Sequence, residues 1–265
     1  MKYINTGICI WCRRSEPAVS FENEPHSIPK SLGSNTIGFD ICDKCNHFFG
    51  TIDKTVKPSL AIEVCFKEIF GTIRFLSNSN KNENSYKQFR SCYFDYRHSK
   101  RTIEIRSTFK YNNAFLSTFT RQFCRGIYEI FLQEYHRQTE NGLASEFDQV
   151  RDFARYNKGH LPVYYNWGSR VFGIEENMDK PHINISEQAL SDIENYGFYS
   201  FWLWGHIFFI EVTPMAAANR ELYLHKQANQ IIIPVVGDER IIELKNILSV
   251  DFFLRGLYDS RHITE

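Results

Sequence analysis

Cys9-Ile10-Trp11-Cys12 and Cys42-Asp43-Lys44-Cys45 are two C-x-x-C pairs with 29 residues between them (residues 13–41). Their reading decides what the N-terminal part of the chain is. Each pair can offer two thiolates from one tight turn, and four thiolates complete the tetrahedral shell of one Zn²⁺. The segment from Met1 to about Lys57 is dense in Cys, Gly, Pro and Asn and has little hydrophobic periodicity. A segment without its own core needs a staple, and a structural zinc supplies on the order of 10 kcal/mol of folding free energy. Cys9, Cys12, Cys42 and Cys45 are therefore expected to be structural zinc ligands. A thioredoxin-like redox pair is the weaker alternative, because it wants one C-x-x-C at a strand–helix junction. Cys65, Cys92 and Cys124 lie in apolar contexts and read as inert core thiols. The spacer is longer than in the common zinc-ribbon patterns, which suggests that the loop between the knuckles carries something useful.

The whole chain bounds what that something can be. It has 265 residues, room for one large domain or a small module plus a larger one. Lys and Arg number 31, Asp and Glu 31, so the formal charge is zero. A protein that coats nucleic acid would be strongly basic. Any contact with phosphates must come from a local patch, a metal ion or a partner. The 23 Phe, 14 Tyr and 4 Trp promise well-packed helices and sheets. The first residues lack a signal-peptide apolar region. No uncharged apolar run reaches the ~18 residues that span a bilayer; the longest, residues 199–210, is short and contains His206. A cytoplasmic location without membrane contact is the expectation, and in a reducing compartment paired cysteines read as metal ligands.

Beyond Lys57 the pattern changes. Pro58 to Leu76 reads as a helix, with Leu60, Val64, Ile69 and Phe75 at roughly helical spacing and Pro58 in the first turn. The polar stretch Ser77 to Ser85 marks a linker and a domain boundary. Cys92 to Tyr96 and Thr102 to Phe109 read as a hairpin. Asn113 to Arg137 is a helix with one apolar stripe (Phe115, Phe119, Phe123, Ile127, Ile130, Phe131, Tyr135) and its charges mostly on the other face. A shorter helix is expected at Glu146 to Tyr156, where Asp148, Arg151, Asp152 and Arg155 suggest an ion-paired face. Strands are expected at Val163 to Trp167, His182 to Ile185, Phe198 to Val212 (broken at Gly205) and Gln230 to Val236. Glu239 to Tyr258 reads as a closing amphipathic helix. The fold class is α+β, with a mainly antiparallel sheet in the C-terminal part. The expected domains are a zinc module over 1–57, a helix and linker over 58–85, and an α+β domain over 86–265.

The loop between the knuckles reads Glu24-Pro25-His26-Ser27-Ile28-Pro29-Lys30-Ser31-Leu32-Gly33, and the second knuckle runs on as Cys45-Asn46-His47-Phe48-Phe49-Gly50-Thr51-Ile52-Asp53. Over residues 8–54 this order of knuckle, His-x-x-Pro-x-x-Leu-Gly loop and C-x-x-C-Asn resembles the zinc-bound subgroup of the HNH endonucleases. The resemblance implies a ββα-metal unit that hydrolyses DNA phosphodiester bonds. By position, His26 matches the general base, Asn46 the residue that orients it, and Asp53 the ligand of a catalytic Mg²⁺ or Mn²⁺. Asp53 is seven residues after Asn46, two helical turns, so one helix would present both to one site. Pro25 stands where the family usually has an acid. Glu24, one step earlier, is the candidate to reach the metal from a bent loop. His47 points about 100° away from Asn46 on that helix and reads as a surface residue.

The chemistry of the residue types agrees. Activating water at neutral pH suits a histidine, with an ordinary pKa near ~6.5. The leaving 3′-oxygen needs a hard cation held by a carboxylate. Arg13, Arg14, Lys30, Arg97, Lys100 and Arg101 are the candidate phosphate contacts. The remaining histidines, His160, His182, His206 and His225, show no ligand spacing and read as structural. DNA is the expected partner, and control by a regulatory protein or by dimerisation fits the larger C-terminal domain. Bacterial modules of this kind are often effectors in defence against phage or mobile DNA. A different reading keeps the zinc module but makes it a non-catalytic binder of nucleic acid or of a protein partner.

Overall fold

Residues 113–139 organise the molecule. The computed structural model describes residues 2–79, 91–97, 102–166, 181, 183–204, 206–230 and 241–250, and helix α3 (Asn113–Thr139) runs through the middle of them. Asn112 caps its start by accepting a hydrogen bond from Phe115 N–H at 2.9 Å. Nearly every residue from Phe115 to His136 is buried. Its aromatic stripe packs on α2 (Ile62–Ser79) and on the sheet, as Phe66 stacks on Phe123 with ring centroids 5.8 Å apart. The two helices touch closely at Gly126, where an added Cβ would stand 3.2 Å from Phe66 Cβ.

The face of α3 expected to carry solvated charges is buried too. Gln122, Arg125, Glu129, Gln133, Glu134 and His136 are all less than a tenth exposed. They meet the N-terminal segment, so this helix is covered all round, as an interior helix must be.

The main sheet has four antiparallel strands in the order β6 (Phe198–Leu203), β7 (His206–Glu211), β5 (Val163–Asn166) and β8 (Ile241–Glu243). Alternation splits its side chains cleanly. Val163, Tyr165, Tyr199, Phe201, Phe208 and Ile210 join the main core. Tyr164, Phe198 and Phe209 face the other way and pack under α6 (Ala216–Gln230), where Phe198 stacks on Tyr223 at 4.5 Å. Helix α5 (Glu187–Tyr196), capped by Ser186 at one end and by Gly197 at φ 76° at the other, precedes β6. A Cβ at Gly197 would meet Thr213 and the backbone of Ala216 at under 3 Å, so glycine is needed there twice over.

Several expectations change. Ile183–Ile185 has no strand geometry; its Ile183 carbonyl and Ile185 N–H are bonded by the side chain of Gln138 instead. The closing helix over 239–258 is absent from its described part, which is β8 followed by a 3-10 turn at Ile247–Ser249. Ile241 to Glu243 pair with Tyr164 to Asn166, and that edge of β5 takes their backbone. Helix α2 begins four residues later than expected because Leu60–Ala61 forms β2, paired with β1 (Ile52–Asp53). The helix after Glu146 is a 3-10 turn (Ser145–Phe147) leading into α4 (Asp148–Ala154). The hairpin forms, as β3 (Phe94–Arg97) against β4 (Thr102–Ile105). The expected strand at Gln230 to Val236 lies outside the described residues apart from Gln230, which ends α6. Cys65 and Cys124 are buried, but Cys92 is exposed.

The buried cluster is continuous from Cys9 to Val250. No helix among the described residues is long and apolar enough to cross a membrane.

Candidate functional site

The two knuckles converge. Cys9, Cys12, Cys42 and Cys45 place their four sulfurs within 4.8 Å of one another. A tetrahedral ion with Zn–S bonds of ~2.3 Å has S···S edges of about 3.8 Å, and Cys12 Sγ lies 3.8 Å from Cys42 Sγ. The set fits one Zn²⁺, and the four cysteines could hold it. Local geometry explains the convergence. Cys9 and Arg14 close the first turn through Cys9 N–H to Arg14 C=O at 2.9 Å, with Arg13 at φ 57°. The second knuckle is the start of helix α1 (Asp43–Gly50), whose first bonds are Cys45 N–H and Asn46 N–H to Cys42 C=O. Cys42 N–H also points at Cys9 Sγ at 3.4 Å.

Four thiolates and Zn²⁺ carry a formal charge of −2, and cations stand by. Arg155 donates Nε–H to Cys45 Sγ at 3.5 Å while its guanidinium lies 3.8 Å over the Phe48 ring. Arg151 is buried and bonds the Ile10 carbonyl inside the first knuckle at 2.7 Å. The expected ion-paired face of α4 is thus partly a clamp on the zinc knuckles; Asp148 pairs with Arg151 at 2.6 Å. Without a cation the sulfurs cannot all ionise. Hydrogen bonds from Cys45 and Cys9 hold the Cys42 thiol down to about 2, while the bond to Cys42 pushes Cys45 up to about 12.

Between the knuckles, His26 pairs with Ile37 in an isolated antiparallel bridge, with Gly38 N–H donating to Pro25 C=O at 2.8 Å. A 3-10 turn (Lys30–Leu32) ending at Gly33, φ 93°, returns the chain. Helix α1 follows. His26 Nε2 lies 3.3 Å from Glu24 Oε1, and its side chain is 18% exposed. Its Nδ1 is buried without a hydrogen-bond partner. Glu24, displaced by one position in the sequence, is therefore the carboxylate at the histidine. Asn46 is half-buried on α1, and no hydrogen bond joins it to His26 among the described residues. His47 is exposed and bonds Thr51.

Asp53 does not share the α1 face with Asn46. The helix ends at Gly50, and Asp53 stands on β1, where its pairing with Leu60 turns it inward. Both of its oxygens are taken: Oδ1 by Thr55 N–H at 2.9 Å and Thr55 Oγ1–H at 2.6 Å, Oδ2 by Arg125 Nη1–H at 2.7 Å. Burial works against ionisation, but these bonds outweigh it and hold the carboxyl below its ordinary value.

The candidate phosphate contacts divide. Arg13 is spent on Asp148 at 2.6 Å and on the Leu143 carbonyl. Arg14 and Lys30 are exposed. Arg97 lies on β3, and Lys100 and Arg101 lie outside the described residues.

Asp40 went unnoticed in the sequence and proves central to the same unit. Its buried carboxylate accepts Asn5 N–H, Thr6 N–H, Thr6 Oγ1–H and Gly7 N–H at 2.8–3.0 Å, and stands 3.1 Å from His136 Nε2. Gly142 N–H donates to His136 Nδ1, so the histidine's proton belongs on Nε2, toward Asp40. Ser27, next to His26, donates to the buried Glu134 of α3. Helix α3 therefore holds the chain after His26 at two points, Ser27 and Asp40, across 107 and 96 residues of sequence.

Comparison with protein-family models, curated proteins and solved structures finds no match to this chain.

Proposed function

We propose that residues 8–54 form a zinc-stapled nuclease unit of the HNH kind and that the protein is a metal-dependent DNA endonuclease. The observation that carries this reading is the order and placement of three parts. A bridged loop presents His26 beside a carboxylate, the chain turns, and a helix begins directly on the second zinc knuckle. The order bridge, turn, helix supports the ββα-metal reading, with a single His26–Ile37 bridge standing where that reading has a two-stranded hairpin.

His26 is the group that takes the proton from the attacking water. Glu24, 3.3 Å from Nε2, stabilises the imidazolium that forms. The backbone bridge to Ile37 and the Ser27–Glu134 bond fix the chain that carries His26. Asn46, half-buried on α1, keeps the role of orienting the base in this reading. A Mg²⁺ or Mn²⁺ bound at the site supplies positive charge for the departing 3′-oxygen. The zinc set takes no part in the chemistry, since four thiolates leave no open position. Exposed Arg14 and Lys30 meet the DNA backbone. The larger α+β portion serves target choice or control, and defence against foreign DNA is the setting we favour.

The test is incubation of zinc-loaded protein with supercoiled plasmid in Mg²⁺, Mn²⁺ or EDTA. Metal-dependent nicking or linearisation supports the proposal. Intact plasmid under every condition, alongside DNA binding indifferent to divalent metal, would turn the reading toward a binding module.

A further inference from the structure

Trp202 is the exception on strand β6. Alternation puts it on the face that carries Phe198 and packs under α6. Yet it is 58% exposed, while Trp11 and Trp204 are 1% and 3% exposed. Ser200, two residues earlier on the same face, bonds Tyr223 of α6 at 3.1 Å. Helix α6 thus covers β6 at Ser200 and leaves Trp202 open. The space beside it is a cavity of about 640 Å³ between β6, α5 and the end of α6, lined by Trp202, Asn184, Gln188, Asp192, Lys226 and Gln227 among others. Sites for small organic ligands fall at roughly 300–1,000 Å³.

The polar wall of this cavity is held in place by its own bonds. Asp192 on α5 is 5% exposed. Its Oδ1 accepts from Gln188 Nε2–H at 2.9 Å and from Lys226 Nζ at 3.3 Å, and its Oδ2 accepts from Tyr223 O–H at 3.1 Å. Lys226 Nζ also lies 4.7 Å over the Tyr196 ring. Tyr199 O–H donates to the Asn184 carbonyl at 3.2 Å, which fixes the chain beyond α5. Gln188 spends an amide N–H on Asp192 and keeps Oε1 as an acceptor. Lys226 keeps further N–H donors, and Asn184 offers both a donor and an acceptor.

These groups select a ligand. The carboxylate is already matched by three donors, so a cationic ligand gains little from it. One lysine suits one phosphate rather than a polyphosphate. An exposed indole takes a flat π-face, and side-chain amides pair with the mixed donor–acceptor edge of a nucleobase.

We propose that this cavity binds one nucleoside monophosphate unit whose base is unpaired. The base stacks on Trp202, its edge bonds the amides of Asn184 and Gln188, and its phosphate meets Lys226. A free mononucleotide and one residue of single-stranded DNA share that chemistry. A duplex does not, because its bases are stacked and paired. Neither the cavity nor its ligand depends on the nuclease reading, which concerns His26 and the zinc module.

The experiment uses zinc-loaded full-length protein without added divalent cation. Equilibrium dialysis follows the four deoxynucleoside monophosphates, and fluorescence anisotropy follows a labelled short oligonucleotide, single-stranded and as its duplex. A mononucleotide or the single strand should bind at one site per chain, and the duplex more weakly. Trp202→Ala, at an exposed position, should keep the wild-type melting temperature and weaken binding about tenfold or more. Trp202→Phe keeps a stacking face and should recover most of that loss. Lys226→Gln should weaken the mononucleotide and leave the matching nucleoside, which lacks the phosphate, unaffected. Binding of a mononucleotide identifies a free nucleotide as the ligand; binding of the single strand alone identifies an unpaired base in DNA. No binding of either, unchanged binding in Trp202→Ala, or a duplex bound as tightly as the single strand overturns the site. Plasmid cleavage by the same preparation is a separate readout and bears only on the nuclease reading.

Discussion

Arg125 Nη1 lies 2.7 Å from Asp53 Oδ2, and the two side chains are 0% and 2% exposed. This buried ion pair ties the segment after α1 to the middle of the central helix. Gln122 Oε1 and the Ala154 carbonyl accept the neighbouring guanidinium protons. A pair so buried adds little net stability over an apolar replacement, but breaking it strands a charge. Asp53→Ala is expected to cost about 3–5 kcal/mol, measured as a loss of urea stability. The double variant Asp53→Leu/Arg125→Met should recover much of that loss. An Asp53→Ala protein as stable as wild type would mean that the pair is not formed.

The zinc staple makes a separate prediction. Purified protein should carry one zinc per chain by elemental analysis. Removal by a strong chelator under reducing conditions should unfold at least residues 2–50, since their knuckles and the start of α1 depend on the four sulfurs. Cys42→Ser should lower zinc content and expression together. Full native circular dichroism and an unchanged melting temperature after complete zinc removal would contradict the assignment.

Burial sets the sign of a pH effect at α3. Desolvation, followed by the nearby Glu63, pushes Glu129 well above its ordinary value of 4.5. Below pH 4.5 both folded and unfolded chains hold this proton, so the group favours neither. As pH rises past that value the unfolded chain ionises first, and stability falls until the folded group also ionises. Glu129→Gln should therefore raise stability by about 1–2 kcal/mol near neutral pH. The gain should shrink toward zero near pH 4. Asp40 and Asp53 act oppositely. Their hydrogen bonds overcome burial and hold both carboxyls low, so their contribution is present above about pH 4 and is lost as acid protonates them. A pH series of denaturant melts on wild type, Glu129→Gln and Asp40→Asn separates the two signs.

The sequence exposed the parts of the structure whose signals are local. C-x-x-C spacing needs only a tight turn to be legible, and the four sulfurs gather as expected. The hairpin, α3 and the β6–β7 pair followed from periodicity. What stayed hidden depends on which faces meet. Arg121, Arg125, Glu129 and Gln133 recur every four residues and looked like a solvated stripe; only packing shows that the N-terminal segment covers most of it. The sheet is covered on both faces, so its strands alternate between two apolar environments rather than between core and water. Helix α6 was missed because its Ala-rich start and polar residues give only a faint apolar stripe. Asp53 was placed by counting helical turns past a point where the helix had already given way to a strand. Asp40 carried no sequence signal at all, since its role is to gather backbone N–H groups from residues 5–7.

The most direct measurement is plasmid cleavage by His26→Ala beside wild type, at matched zinc content and matched melting temperature, in Mg²⁺ and in Mn²⁺. The account predicts cleavage by wild type that EDTA abolishes, a loss of at least a hundredfold in the variant, and DNA affinity within a few-fold of wild type. Cleavage by His26→Ala at the wild-type rate would contradict it.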